Sequence, residues 1–488
     1  MLKKILDEIK NHKIVYILLF IILSVGFFLR VYNIGSLLGF YYDQGRDALA
    51  IWDLWHGGNI PFIGPTTGIA GIFRGPFYYY LIAPFYLLGG GNPVWPSVFL
   101  SFTTVVASLL MYYLGFKIQD RQTGLIAALI SSFSFNIVMA SRWLSNPTPM
   151  LLLSLILVWA MIKNNWPVIA FTLGLSLFHF GSSGEVFYFL AVLVYAVWRR
   201  KRLPGKKTFL VSAFLFFLTI VPLVAFDIKN NGLILGNIRE FLITDKSFAL
   251  PSAGFIADKF EFYYGVFTSK IFNARYHLEK FVLSGILFFF VYHLRTLIKV
   301  KGVKILLILL ASVMVGLVFF QGNFGNIYDY YLTGYYLPFL LLFSIVLGYM
   351  WKFRWGKIFV AYFIYLFISN NADMLKFKLV DDGLGERSVS FIAQKKAVAW
   401  IKEDSADNEF NIDVYVPPVI PYAYDYLFKW MGVEQSGTNV PVLYTLYEHD
   451  PPNPERIEAW LKRQEGIGVV EESVKFGAIT VERRMRLK

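Results

Sequence analysis

The chain has 488 residues, of which 56% are hydrophobic and only 16% charged, with a mean hydropathy of +0.53; a soluble enzyme of that length needs more charge on its surface, so a polytopic helical membrane protein is left. Cysteine is absent, which excludes a disulfide framework, a thiolate metal site and a cysteine nucleophile. The net charge of +13 falls in short basic clusters between apolar runs, a pattern that orients membrane proteins, and with no basic domain it gives no nucleic-acid partner.

In chain order, Met1-Leu2-Lys3-Lys4 leads into an apolar run reaching Leu29 without a small-residue cleavage pattern, which predicts a retained first crossing. Further apolar runs lie at about 94 to 116, 124 to 141, 149 to 162, 166 to 180, 185 to 198, 208 to 226, 281 to 294, 303 to 320, 335 to 351 and 357 to 370, making eleven in all. Several fall short of the ~20 residues of an upright span. Alternating sides puts Lys3/Lys4/Lys10/Lys13, Lys117/Arg121, Lys163, Arg199 to Lys207, Arg295 to Lys304 and Lys352/Arg354/Lys357 on one face, which the positive-inside rule makes cytoplasmic, together with the N-terminus. The other face receives the loop 32 to 93, the turns at Arg142 to Thr148 and Gly181 to Gly184, the long loop from Asp227 to Lys280, the turn Gln321 to Tyr330, and everything after Asn371. Phe77 to Leu88 is also apolar, but as a crossing it would invert every later loop. It is therefore expected to be an interfacial or re-entrant helix between Arg74-Gly75-Pro76 and Gly89-Gly90-Gly91-Asn92-Pro93.

The first external loop carries the charge that needs explaining. In Tyr41-Tyr42-Asp43-Gln44-Gly45-Arg46-Asp47 two aspartates stand four apart, so a helix there puts both carboxylates on one face beside Arg46. Asp47 to Trp55, with Leu49, Trp52 and Trp55 at helical spacing, reads as a helix lying on the membrane surface. The bland alternative makes the aspartates an N-cap and a solvated face. Downstream, Gly64-Pro65-Thr66-Thr67-Gly68 and Phe73-Arg74-Gly75-Pro76-Phe77-Tyr78-Tyr79-Tyr80 place Arg74 just before a helix start, where a guanidinium and helix amides favour a lipid phosphate. Tyr78 and Tyr79 join that donor site, or belong to an ordinary interfacial belt, the reading favoured for the tyrosines alone. Arg142 either binds phosphate or anchors a helix end. Glu185 either caps a helix or meets substrate, Arg46 is a candidate substrate-binding residue, and Tyr330 and Tyr331 could line a sugar or lipid site. His179 has no partner at metal spacing and reads as a packing residue. No Walker loop, Rossmann fingerprint or His-Glu-x-x-His occurs.

Composition turns soluble near Gly383, which divides the chain into a membrane module, 1–382, and an α/β domain, 383–488. Helical patterns are expected at Ser388 to Lys402, Tyr422 to Trp430 and Glu455 to Lys462, and strands at Asn411 to Val416, at Val442 to Tyr447 and around Val469 and Ile479.

The order of these features resembles the polyprenyl-phosphate-dependent glycosyltransferases of the GT-C class, and is similar to the aminoarabinose transferase and protein O-mannosyltransferase families. The resemblance rests on the first helix, the acidic loop with Asp43 and Asp47, the Arg74-Gly75-Pro76 segment with its aromatics, the Gly-Gly-Asn-Pro turn, Arg142, the run from Tyr330-Tyr331 to Tyr336-Leu337-Pro338-Phe339, and the external C-terminal domain. It implies a GT-C-like bundle of about eleven crossings, multi-pass in the inner membrane, mainly α. It implies a polyprenyl-phosphate sugar donor, a lipid, glycan or protein acceptor, and Asp43 at the position of the catalytic base, with inversion at the anomeric carbon. Arg74 stands where that family usually has lysine or histidine, and Asp43-Gln44 replaces the usual acidic pair, so a divalent metal is doubtful. The competing readings are a glycan ligase, a flippase without catalysis, and a plain membrane anchor.

Overall fold

The computed structural model describes residues 2–67, 71–244, 253–273, 278–320, 327–406, 408–417 and 420–487. Gly68, part of the loop between Asp227 and Lys280, and the 321–326 part of the next turn lie outside the described residues.

Each of the eleven apolar runs is helical, the run 124 to 141 as two helices in succession. The first crossing is α1 (Lys13–Val31), followed in the external loop by α2 (Tyr42–His56) and α3 (Phe77–Leu88). Next come α4 (Val94–Ile118), the pair α5 (Arg121–Phe133) and α6 (Phe135–Arg142), α7 (Met150–Lys163), α8 (Trp166–Leu175) with a π-turn at Ser176–Phe180, and α9 (Tyr188–Trp198). The bundle continues with α10 (Lys206–Lys229), α11 (Ala253–Ser269), α12 (Leu278–Leu297), α13 (Lys301–Phe319), α14 (Thr333–Met350) and α15 (Arg354–Val380). Seven described helices are long and apolar enough to span a membrane, and α5 with α6 makes an eighth. The runs at α7, α8 and α9 are shorter apolar helices, as is α3.

Burial separates centre from periphery. Almost every residue of α14 is buried, whereas α1 and α10 present Phe20, Phe28, Phe214 and Phe217 outward. A continuous exposed apolar surface of that kind belongs against lipid.

The 61° bend between α5 and α6 frees backbone groups that hydrocarbon cannot satisfy. Arg30, fully buried near the end of α1, donates to the carbonyls of Ser131 and Ser132 at 2.8 and 3.0 Å and to Thr104 Oγ1 at 3.0 Å. From the other side, Asn371 Oδ1 accepts the Phe135 amide at 2.7 Å.

The C-terminal part follows the predicted order closely. It holds α16 (Phe391–Ser405), β1 (Asn411–Tyr415), α17 (Tyr422–Met431), β2 (Val442–Glu448), α18 (Pro454–Glu465), β3 (Gly468–Phe476) and β4 (Ile479–Arg486). The sheet runs β1-β2-β4-β3, with β1 and β2 parallel and the other pairs antiparallel. This domain sits directly on the first external loop. Phe40 packs between Phe391 and Tyr426, Gln394 Nε2 donates to the Phe40 carbonyl at 2.9 Å, and Trp430 Nε1 donates to the Gly90 carbonyl at 2.8 Å. At Gly45 the backbones of α2 and α17 touch: a Cβ there would lie 2.3 Å from the Ala423 nitrogen.

Candidate active site

Helix α2 starts where the Gln44 carboxamide folds back on the chain, its Oε1 accepting the Tyr41 amide at 3.1 Å and its Nε2 donating to the Leu144 carbonyl at 3.1 Å. That ties the start of α2 to the turn after α6. The four-residue spacing then does what it predicts. Arg46 sits between the two aspartates, with Nη1 2.9 Å from Asp43 Oδ1 and Nη2 2.8 Å from Asp47 Oδ1; Nε donates to the same Asp47 oxygen at 3.0 Å, and Nη1 also reaches Thr66 Oγ1 at 2.8 Å.

The two carboxylates differ in environment. Asp43 is 57% exposed, whereas Asp47 is buried and accepts a further hydrogen bond from Tyr79 Oη at 3.0 Å. Burial pushes the Asp47 carboxyl up to about 6, against the opposing pull of Arg46 and Tyr79. Asp47 is thus a support for Arg46, and Asp43 is the acid that a substrate can reach. The N-cap reading accounts for neither Arg46 nor Tyr79. The Arg46 guanidinium occupies the space between the two carboxylates.

Tyr78 and Tyr79 are buried, not members of an exposed belt, which corrects the favoured reading of the tyrosines: α3 packs this face on α2. The Tyr78 hydroxyl lies within the field of both aspartates and has no hydrogen-bond partner among the described residues.

Arg74 is set by a short hairpin and by the π-turn behind it. Gly64 N–H donates to the Arg74 carbonyl at 2.6 Å, Arg74 N–H to Pro65 at 3.0 Å, and Gly75 N–H to Phe178 at 2.6 Å. The irregular turn of α8 therefore presents carbonyls that a regular helix would keep to itself. Among the described residues the Arg74 guanidinium makes one hydrogen bond, to the Leu177 carbonyl at 3.3 Å. His179 is a packing residue with a defined task. Its ring stacks on Phe77 at 4.0 Å, Nε2 donates to the Thr219 carbonyl at 2.7 Å, and Nδ1 accepts the Phe77 amide at 3.3 Å. Gly75 has to be glycine because a Cβ would stand 2.1 Å from that ring.

Tyr330 connects the two halves, lying close enough to Asp43 and to Arg74 to interact electrostatically with each. It is 39% exposed and edge-on to Trp143 at 5.7 Å, while its neighbour Tyr331 is buried. Asp329 fixes this turn through Lys270 Nζ at 2.8 Å and Tyr336 Oη at 2.5 Å.

Three expected participants have other partners. Arg142 Nη1 donates to the Leu29 and Tyr32 carbonyls at 3.2 and 2.8 Å and so holds the outer end of α1, while its buried Nη2 has no hydrogen-bond partner among the described residues. Glu185 is buried and accepts the Ser182 and Gly334 amides at 2.6 and 2.7 Å, fastening the start of α14. Arg46, expected at the substrate, is a clamp between acids. Sequence reasoning missed Arg30, Lys270 and the contact at Gly45. A lone arginine in an apolar span and a glycine inside a helical pattern were the available signals.

The sequence profile of the family described as dolichyl-phosphate-mannose-protein mannosyltransferase matches residues 74–226, beginning at Arg74 itself and leaving Asp43 ahead of the match. No curated protein sequence matches the chain significantly. Among solved structures, ArnT from Cupriavidus metallidurans is similar over 96% of this chain and 97% of its own: TM-score 0.62 at 10% identity in the apo state, and 0.58 at 11% bound to undecaprenyl phosphate. The apo oligosaccharyltransferase of Archaeoglobus fulgidus is similar over 85% of this chain and 63% of its own, with TM-score 0.51 and 13% identity. The GT-C-like fold expected from the sequence is therefore the fold observed.

Proposed function

We propose that this chain is a membrane glycosyltransferase that moves a sugar from a polyprenyl-phosphate donor to an acceptor at the outer face of the inner membrane. One observation carries the reading: Tyr330 lies within electrostatic range of both a reachable carboxylate, Asp43, and a half-buried guanidinium, Arg74. The family profile over 74–226 and the shared fold support the same class of chemistry.

In this mechanism Asp43 accepts the proton of the acceptor hydroxyl as its oxygen bonds to the anomeric carbon. The bond from that carbon to the phosphate oxygen breaks, its electron pair leaves on the lipid phosphate, and Arg74 stabilises the charge gathering there. Single displacement inverts the anomeric centre. Arg46, held by Asp47, fixes the direction of the Asp43 carboxylate, and the unpartnered Tyr78 hydroxyl donates to the bound sugar or its phosphate. The isoprenoid chain lies in an apolar cleft of about 420 Å³ that begins at Phe77, three residues from Arg74, and includes Leu152, Phe171 and Phe180. The phosphate end thereby meets charge while the tail stays in hydrocarbon. Residues 1–382 form the catalytic membrane module, and 383–488 an external domain that holds α2 in place.

The test uses purified protein in proteoliposomes with a panel of polyprenyl-phosphate sugars. Transfer is expected from at least one donor, and Arg74→Ala is expected to weaken binding of the matching polyprenyl phosphate by about tenfold or more. Unchanged affinity in Arg74→Ala would remove the phosphate from this position.

A further inference from the structure

The second half of α2 forms one wall of a separate cleft of about 320 Å³, within the range of small-ligand sites. Trp52, Trp55 and His56 line it from α2, Tyr86 from the end of α3, Gly91 from the turn that follows, and Tyr426 from α17. Three different parts of the chain thus meet around one space.

Among the described residues, one fully buried side-chain polar atom of this lining lacks a hydrogen-bond partner. Trp55 Nε1 donates to the Ala83 carbonyl at 3.3 Å, and Tyr426 Oη donates to the Gly91 carbonyl. Tyr86 is 2% exposed, yet its hydroxyl has no hydrogen-bond partner among the described residues. An orphaned buried hydroxyl is uncommon in folded proteins and calls for an explanation. His56 Nδ1 contacts the Trp52 carbonyl at 3.0 Å; the carbonyl can only accept, so Nδ1 donates, and Nε2 is the acceptor whenever the ring is neutral. Trp52 and His56 are stacked at 4.0 Å, and Trp55 is 43% exposed.

The cleft is therefore lined by flat aromatic surface, by Tyr86 with its enclosed, unpartnered hydroxyl, and by one imidazole, with no carboxylate, ammonium or guanidinium in its lining. Asp53 and Lys429, which connect the same two helices, face each other at 3.9 Å. A phosphate finds no cation in such a lining, and an acyl chain has no use for the Tyr86 hydroxyl. A pyranose ring combines an apolar face with equatorial hydroxyls and matches both features. We propose that this cleft binds a neutral pyranose residue on the acceptor side, eight residues and so about 12 Å along α2 from Asp47. Its assignment to the acceptor rests on the transferase reading; the saccharide binding itself does not.

The experiment uses the full chain in lipid nanodiscs, with photoreactive diazirine derivatives of mannobiose, cellobiose and N,N′-diacetylchitobiose, and maps labelled peptides by mass spectrometry. At least one probe is expected to label peptides containing 52–56, 86–91 or 426, in competition with its unlabelled disaccharide. Tyr86→Phe keeps the ring and is expected to weaken that binding about five- to tenfold, and Trp55→Phe to weaken it as well. Labelling should persist in Asp43→Asn, which separates this inference from the transferase reading. Absence of labelling in the cleft by all three probes, unchanged affinity in both variants, or competition by phospholipid and not by disaccharide would overturn it.

Discussion

Arg46 divides one guanidinium between two carboxylates, and that division assigns them different work. Asp47 is buried, and its carboxyl is raised to about 6. As pH falls through about 6, Asp47 takes up a proton, Arg46 loses its buried counter-charge, and its hold on Asp43 loosens. Transfer is therefore expected to decline on the acid side with a midpoint near 6, and Asp47→Asn is expected to lower activity and abolish that limb. Stability runs the other way. Folding raises the Asp47 value from an ordinary 3.8, so its contribution is complete below 3.8 and is lost as pH rises through about 6. Melting temperatures and turnover measured across pH 4–8 check both signs; a limb unchanged in Asp47→Asn would assign it to another group. At this scale the sequence disclosed the acids through their four-residue spacing, but not their unequal burial. That inequality comes from α3 and its Tyr79, thirty-two residues downstream, whose packing no local pattern encodes.

Two elements illustrate how a membrane helix can be broken, and how a surface helix can be held. At the α5–α6 bend, Arg30 replaces the missing helical donors for Ser131 and Ser132. Arg30→Leu would leave those carbonyls unsatisfied in an apolar setting, at a cost of about 2–3 kcal/mol. A lowered melting temperature in detergent is the expected result, and an unchanged one would mean that the bend is satisfied by other groups. Helix α2 is held from outside the membrane, where Gly45 lets α17 approach backbone to backbone. Gly45→Val is expected to separate the helices, increase proteolysis in the 383–488 domain and reduce transfer at least tenfold, with the bundle still folded. Protease resistance like that of the wild type, together with full activity, would show the contact to be dispensable. The α2 and α3 helices were both legible, because helical periodicity is local. Their docking was not, since α17 lies nearly four hundred residues away in sequence.

For the whole molecule, hydropathy was enough to place helical structure at each of the eleven apolar runs, of which seven, or eight with the bent pair α5 and α6, are long and apolar enough to span a membrane, because a bilayer imposes its thickness on composition. The small α/β domain was equally readable from strand alternation. What composition could not convey is that this domain sits on the helix bearing Asp43 and is part of the support of the candidate site. The orientation proposed for the membrane has its own test. The chain lacks cysteine, so single cysteines at Asn59, Glu434 and Lys201 can be labelled without background. Asn59→Cys and Glu434→Cys are expected to react with an impermeant reagent on intact cells, and Lys201→Cys only after permeabilisation; the reverse pattern would place Asp43 on the cytosolic side.

The measurement closest to the central claim is the initial rate of sugar transfer by Asp43→Asn beside the wild type, in proteoliposomes with a donor on which the wild type is active. The amide keeps the shape of the side chain and cannot take the acceptor proton. A fall of about 10²- to 10⁴-fold, with donor affinity and melting temperature unchanged, is the predicted result. A rate within a few-fold of the wild type would contradict the role of Asp43 as the base.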